Sequence, residues 1–230
     1  PLLNSECGNV WGYEGSTGDV DWSWDYHIMM NEFRRHPKIG GWLYTEHHDV
    51  INEWNGYYRF DRSEKVIGLD DLVRGMSLRD LHSPYYISTG GDLCRDVRPG
   101  ETVEVPLWAS LLTDTIPGRA LQLRVQGFGW DTLGQAWALG QQVVKVPFQP
   151  WMSKALPPVK LVMPRAPGLM IAAIRLETEA GLPLHRNFTT FRVANGPAPR
   201  DESTRLFKTP ARIVRFAPGS FRAAQWSLKQ

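Results

Sequence analysis

Cysteine is nearly absent from this chain: Cys7 and Cys94 are the two in 230 residues. Two thiols without metal-ligand spacing exclude a disulfide framework and a paired-cysteine zinc module, and read as free side chains. Cys7 adjoins a glutamate, and a nucleophilic role for it would need a histidine base nearby in space. A prevailing charge is also missing. Lys and Arg number 26 against 24 Asp and Glu, a net charge of +2, so bulk electrostatics recruit neither nucleic acid nor an anionic membrane. Short basic clusters such as Arg34-Arg35 read as a solvated helix face. No apolar run approaches the roughly 18 residues of a membrane span, and no repeat of solenoid length recurs. The chain opens on Pro1 with neither initiator methionine nor signal peptide. The true N-terminus is therefore expected upstream, and the compartment stays open.

What is present is a globular composition, 42% hydrophobic and 22% charged, in a length that allows one large or two ordinary domains. Residues 1–5 are apolar and extended, a candidate buried strand, and lead straight into Glu6. Residues 8–19, rich in Gly, Ser, Asn and aromatics, read as a long loop of the kind that carries function. A helix is expected from Asp19 or Asp21, either of which can cap it. Trp22, Tyr26, Met29 and Phe33 fall on one helical face, and Pro37 stops the helix near His36. Ile39 to Tyr44 is the next strand. The polar stretch from Thr45 to Asn55 is a second functional loop, Asn55-Gly56 marks a turn, and Leu69 to Arg74 reads as a short helix.

From about Met76 the texture changes. Strand-like stretches recur at Thr102–Leu111, Leu121–Gly127, Gln142–Phe148, Val159–Met163, Leu169–Glu177 and His185–Val193, with turn dipeptides such as Pro99-Gly100 and Pro117-Gly118 between them. Leu121, Leu123 and Val125 alternate with Gln122, Arg124 and Gln126, the period of a half-buried strand. Several such strands in series predict a β-sandwich. Residues 195–199 are the clearest linker, and the strand-like Arg212–Phe216 beyond them opens a further module. The ten tryptophans are many for this length. Core packing is their default, with Trp108, Trp130 and Trp137 the candidates for holding polysaccharide. Asn187-Phe188-Thr189 has the form of a glycosylation acceptor and is taken as structural.

Strand, helix, strand, with reactive side chains where each strand stops, is the order found where an α/β barrel presents its chemistry. Glu6 ends the first strand. Tyr44, Glu46, His47, His48 and Asp49 follow the second. Neighbours on an extended chain point to opposite sides, so the His47-His48 pair is a poor metal site, and neither metal nor cofactor is expected. Glu46 and Asp49 read instead as contacts to sugar hydroxyls, or as a salt-bridged loop scaffold. Asn31-Glu32 lies inside the helix, and Asn52-Glu53 in the second loop.

These residues carry a resemblance. PLLNSECG, DWSWDYHIMMNEFRRHPKIGGWLYTEHHDV and INEWNGYYRFDRSEK together resemble the last two βα units of the catalytic barrel in family 2 glycoside hydrolases. Asp49-Val50, Glu53, Asn55-Gly56 and Asp61-Arg62 match a spaced pattern in one branch of that family. The resemblance implies the C-terminal end of a TIM (β/α)8 barrel over residues 1–75, an immunoglobulin-like β-sandwich over 76–197, and a linker with the start of a further module over 198–230. It implies Glu6 as nucleophile of a retaining, exo-acting β-glycosidase, with Tyr44 as a platform for the sugar ring. Retention needs a second carboxyl about 5–5.5 Å away. The family's acid/base would lie in the missing N-terminal part of the same polypeptide. The expected partners are that segment and a carbohydrate substrate, with no nucleic acid and no membrane. The family suggests a secreted or periplasmic home. The alternative is a non-catalytic carbohydrate-binding or structural β-sandwich module of a larger protein.

Overall fold

The computed structural model describes residues 2–7, 22–50 and 53–196. Strand β1 (Leu2–Cys7), helix α1 (Ser23–Arg34) and strand β2 (Ile39–Tyr44) form a strand–helix–strand unit, its two strands paired in parallel from Leu2 opposite Ile39 to Cys7 opposite Tyr44. Parallel neighbours need a crossover, and α1 is that crossover. Short helices α2 (Leu69–Leu72) and α3 (Leu78–Leu81) follow. In α3 the Ser77 side chain and the Asp80 carboxylate satisfy each other's backbone N–H groups, a reciprocal cap.

Eight strands make up the rest: β3 (Tyr85–Ser88), β4 (Cys94–Val97), β5 (Thr102–Leu111), β6 (Leu121–Asp131), β7 (Ala136–Val146), β8 (Met152–Val162), β9 (Gly168–Thr178) and β10 (Pro183–Val193). They form two sheets, ordered β4-β10-β9-β6-β7 and β3-β5-β8. Their inner faces share one apolar core, with Val105, Leu107 and Leu161 from one sheet meeting Leu123, Val125, Ile174 and Phe191 from the other. The alternation expected in β6 is observed: Leu121, Leu123 and Val125 are buried and the residues between them are not. Strand β5 has the expected limits, whereas β6, β7 and β8 run longer or start earlier than their apolar stretches. Polar outward positions carry no strand signal once they pair in register.

The expected barrel is corrected by this architecture. A barrel closes only when every strand is paired on both sides. Among the described residues, β1 and β2 pair with each other and with nothing else. From β5 on, all described pairings are antiparallel apart from β10 with β4. The described residues are predominantly β-sheet with three helices, and they support neither a TIM barrel nor the family 2 label resting on it. The short pair is open on its outer side, with Leu3 at 72% and Leu43 at 63% exposure.

Helix α1 is buried more widely than one stripe predicts. Tyr26, His27, Met30, Asn31 and Arg34 are all buried, and Met29 and Phe33 only partly. The helix is covered twice, by Trp42 of β2 on one side and by β3 and β10 on the other. A second apolar cluster fills this joint, bringing Trp22, Tyr26, Met30, Leu69 and Leu81 against Tyr86, Ile171 and Phe188. The expected caps Asp19 and Asp21, the loop before them, and Arg212–Phe216 lie outside the described residues.

Candidate functional site

The C-terminal ends of β1 and β2 lie side by side, as the parallel pairing requires. The Thr45 N–H donates to the Cys7 carbonyl at 2.9 Å, which places Glu6 and Glu46 on neighbouring strand ends. Glu6 is exposed, and its own N–H is held by the Asn4 side chain at 3.1 Å. Alternation along β1 sends Cys7 the other way. Its thiol is buried, donates to the Leu43 carbonyl at 3.2 Å, and is pushed up by burial. A buried, neutral thiol is an inert one, so the nucleophilic reading of Cys7 is dropped in favour of the carboxylate.

The loop after β2 opens on a cis peptide between Thr45 and Glu46. Burial holds the Glu46 carboxyl above the usual carboxylate range, and the carboxyl of Glu53 and the charge of Asp49 act in the same direction. Asp49 has a different place. It is 1% exposed, and its Oδ1 accepts from Lys65 Nζ at 2.7 Å and from the Gly56 N–H at 2.9 Å. Lys65 also donates to the Trp54 carbonyl at 2.7 Å. A side chain so enclosed ties the loop together and presents nothing to a ligand. The scaffold reading fits Asp49, and the buttress is Lys65, which sequence reasoning passed over. Asp61 and Arg62 form only an exposed local turn, with the Ser63 N–H on Asp61 Oδ1 at 2.9 Å.

Tyr44 is built into an aromatic cluster. Tyr57 stacks on it at 4.2 Å with the planes 13° apart, and Tyr26 meets it edge-on at 4.8 Å. The Tyr44 hydroxyl donates to the Asn55 carbonyl at 2.6 Å. One face of the expected platform is therefore already taken. Behind it, Tyr57 OH lies 2.9 Å from His82 Nε2 and donates to Tyr26 OH at 3.1 Å, and Tyr26 OH accepts from Trp42 Nε1 at 3.2 Å. His82 and Tyr57 carried no motif signal, because only folding brings residues 25 positions apart into contact.

The other candidates separate. Glu32 is on the outer side of α1 with Arg35 and His36, as its place in a helix predicts. Asn31 is fully buried. No group of three or more metal-ligating side chains gathers among the described residues. Of the proposed sugar-holding tryptophans, Trp108 has Arg35 over its ring at 5.5 Å and Trp137 lies over Gly129, while Trp130 is 39% exposed. Asn187 is fully buried, which fits the structural role and leaves no acceptor for a glycan.

No family model matches this chain, and no curated protein matches it. Among solved structures it is similar to a Paenibacillus sp. cycloisomaltooligosaccharide glucanotransferase complexed with cycloisomaltoheptaose. The TM-score is 0.32 at 13% identity, over 44% of this chain and 13% of that one. At that score the likeness carries no argument about activity.

Proposed function

We propose that this chain supplies the nucleophilic carboxylate of a retaining, exo-acting β-glycosidase, with Glu6 in that role. The observation that supports the reading is the placement of Glu6: exposed, at the C-terminal end of a parallel strand, and beside a second strand end that carries Glu46. An oxocarbenium-like transition state is attacked by an ionised carboxylate while a neutral carboxyl protonates the leaving oxygen. The nearby carboxyls of this chain have other partners, Glu46 with Glu53 and Asp49 with Lys65. As the resemblance implies, the reading takes the proton donor to lie outside this chain, and a terminal β-linked sugar as the substrate. Glu46 and Tyr44 border the sugar.

Glu6→Gln in the whole polypeptide tests this. Loss of a nucleophile lowers kcat by roughly 10⁴-fold or more, so aryl β-glycoside turnover should vanish while thermal unfolding is unchanged. Near-normal turnover by a folded variant removes the role. The competing reading, a sandwich that binds glycans without cleaving them, draws on exposed Trp130. It predicts that Trp130→Ala releases the chain from insoluble glycan and that Glu6→Gln does not.

A further inference from the structure

The joint between α1 and the sandwich is polar at its centre. Asn187 of β10 is its hub. Its Oδ1 accepts from His27 Nε2 and from the Phe188 N–H at 2.7 Å, and its Nδ2 donates to Asn31 Oδ1 at 3.0 Å and to the Ile87 carbonyl at 2.6 Å. The amide thus uses both donors and both lone pairs. Asn31 completes the mesh by accepting from the Thr89 N–H at 2.9 Å and donating to the His27 carbonyl at 3.0 Å. Because Asn187 Oδ1 can only accept, His27 carries its proton on Nε2. Its Nδ1 is buried with no hydrogen-bond partner among the described residues. His185, two residues before Asn187 on β10, is enclosed in the same joint: Nδ1 donates to the Asp80 carbonyl at 3.0 Å, and the Ile87 backbone is its second polar neighbour. Both imidazoles are 0% exposed.

We propose that this joint is an acid-released latch: proton uptake by His27 and His185 undocks the layer of α1 and α3, with the strand ends that bear Glu6 and Glu46, while the two sheets stay folded. Each ring is fully buried, and a second proton would put a positive charge there, away from bulk solvent. The surroundings make it worse. Arg34 of α1 sits in the same joint, its guanidinium donating to the carbonyls of Ser83 and Ser110 at 2.9 Å and lying over the rings of Trp42 and Tyr86. Asp80 of α3 is the carboxylate of the seam, and it is already engaged by the N–H groups of Ser77 and Arg186 and by the Arg186 guanidinium at 3.8 Å. Burial also raises the Asp80 carboxyl, so acid weakens the one available countercharge. The remaining titratable neighbours are Tyr26 of α1, Tyr86 of β3 and the exposed His82 after α3; burial lowers His82 and raises both tyrosines. Burial draws His27 down to about 4 and, with Arg34 adding to it, His185 to about 3.

A histidine whose folded value is depressed favours the docked form above its free value of about 6.5, and that preference is lost as pH falls toward the folded value. Two such groups lower the docked-to-undocked ratio by up to about 100-fold per pH unit between roughly 6.5 and 4. The core between the sheets is aliphatic around β5, β6, β8 and β9 and holds no histidine. Hydrogen exchange on the whole 230-residue chain reads this out. Amides of α1 should lose protection with that slope while those of β5 and β9 keep theirs, and His27→Gln should reduce the slope to about 10-fold per unit. Loss of α1 and sheet protection together, or a flat α1 profile down to pH 4, overturns the proposal. Should His27→Gln fail to fold, the imidazole resonances of the unaltered docked chain decide. Two rings still neutral at pH 5 support the latch, and either ring titrating near 6.5 refutes it.

Discussion

Asp49 and Lys65 show what burial does to a single pair. Both side chains are 2% exposed and 2.7 Å apart, so removing one leaves the other charged, dry and alone. Asp49→Asn should lower stability by about 3–5 kcal/mol, read as a shift of the urea midpoint, and an apolar replacement of both residues should recover most of it. Glu46 has the opposite character. Its carboxyl is raised by burial and by Glu53, so the folded chain prefers it neutral, and that preference is lost as pH rises through the folded value. Glu46→Gln should therefore raise the unfolding midpoint at pH 7 and leave it unchanged below about pH 4, where both states bind the proton. A destabilised variant at pH 7 would mean that the charged form is the one the fold holds. Sequence placed Asp49 and Glu46 in one loop and gave them one task. Their different burial, which no spacing encodes, gives them two.

Strands β6 and β9 pair over their whole length, and two glycines at the far end permit it. A Cβ on Gly129 would lie 1.9 Å from the Leu169 carbonyl oxygen, and one on Gly168 would lie 2.1 Å from that of Trp130. Neither obstacle is a flexible side-chain tip, so the strands must part. Gly129→Ala should cost at least about 1–3 kcal/mol and raise exchange of the amides around Trp130 before those around Leu123. Equal exchange at both ends would place the defect elsewhere. The Asn55-Gly56 turn was legible as a dipeptide, but not its tightness: a Cβ at Gly56 would meet the His48 backbone at 2.3 Å, because that backbone arrives from the loop after β2. Helix α1 was legible by its period, yet its polar buried face was not. Asn31 and Arg34 read as solvent-facing until a sheet is set against them.

At the level of the entire chain, one apolar cluster joins residues on both sides of the division expected at residue 76. Phe188, Ile171 and Tyr86 belong to the sandwich strands, yet they are buried beneath Trp22, Tyr26 and Met30. Uncovering those three alone forfeits about 1.5–3 kcal/mol each, and it strips Asn187 of His27 and Asn31 as well. A chain beginning at residue 76 should therefore unfold at a clearly lower temperature than residues 1–197, and Phe188→Ser should restore solubility to it but not stability. An unchanged Tm for the shorter chain would show that the joint is incidental.

Hydrophobic periodicity was enough to locate α1, β2 and most of the sandwich strands, because a side chain's distance from water along one element depends on that element's own repeat. Turn dipeptides were readable for the same local reason, and so was the extended run from Leu2 to Glu6, but not its burial: Leu2 and Leu3 are exposed where a buried strand was expected. Barrel closure, the partners of Asn187, the enclosure of Asp49 and the stacking of Tyr57 on Tyr44 were not readable. Each depends on which distant strand or helix arrives alongside, and that is settled by how whole apolar faces and hydrogen-bond groups are satisfied together.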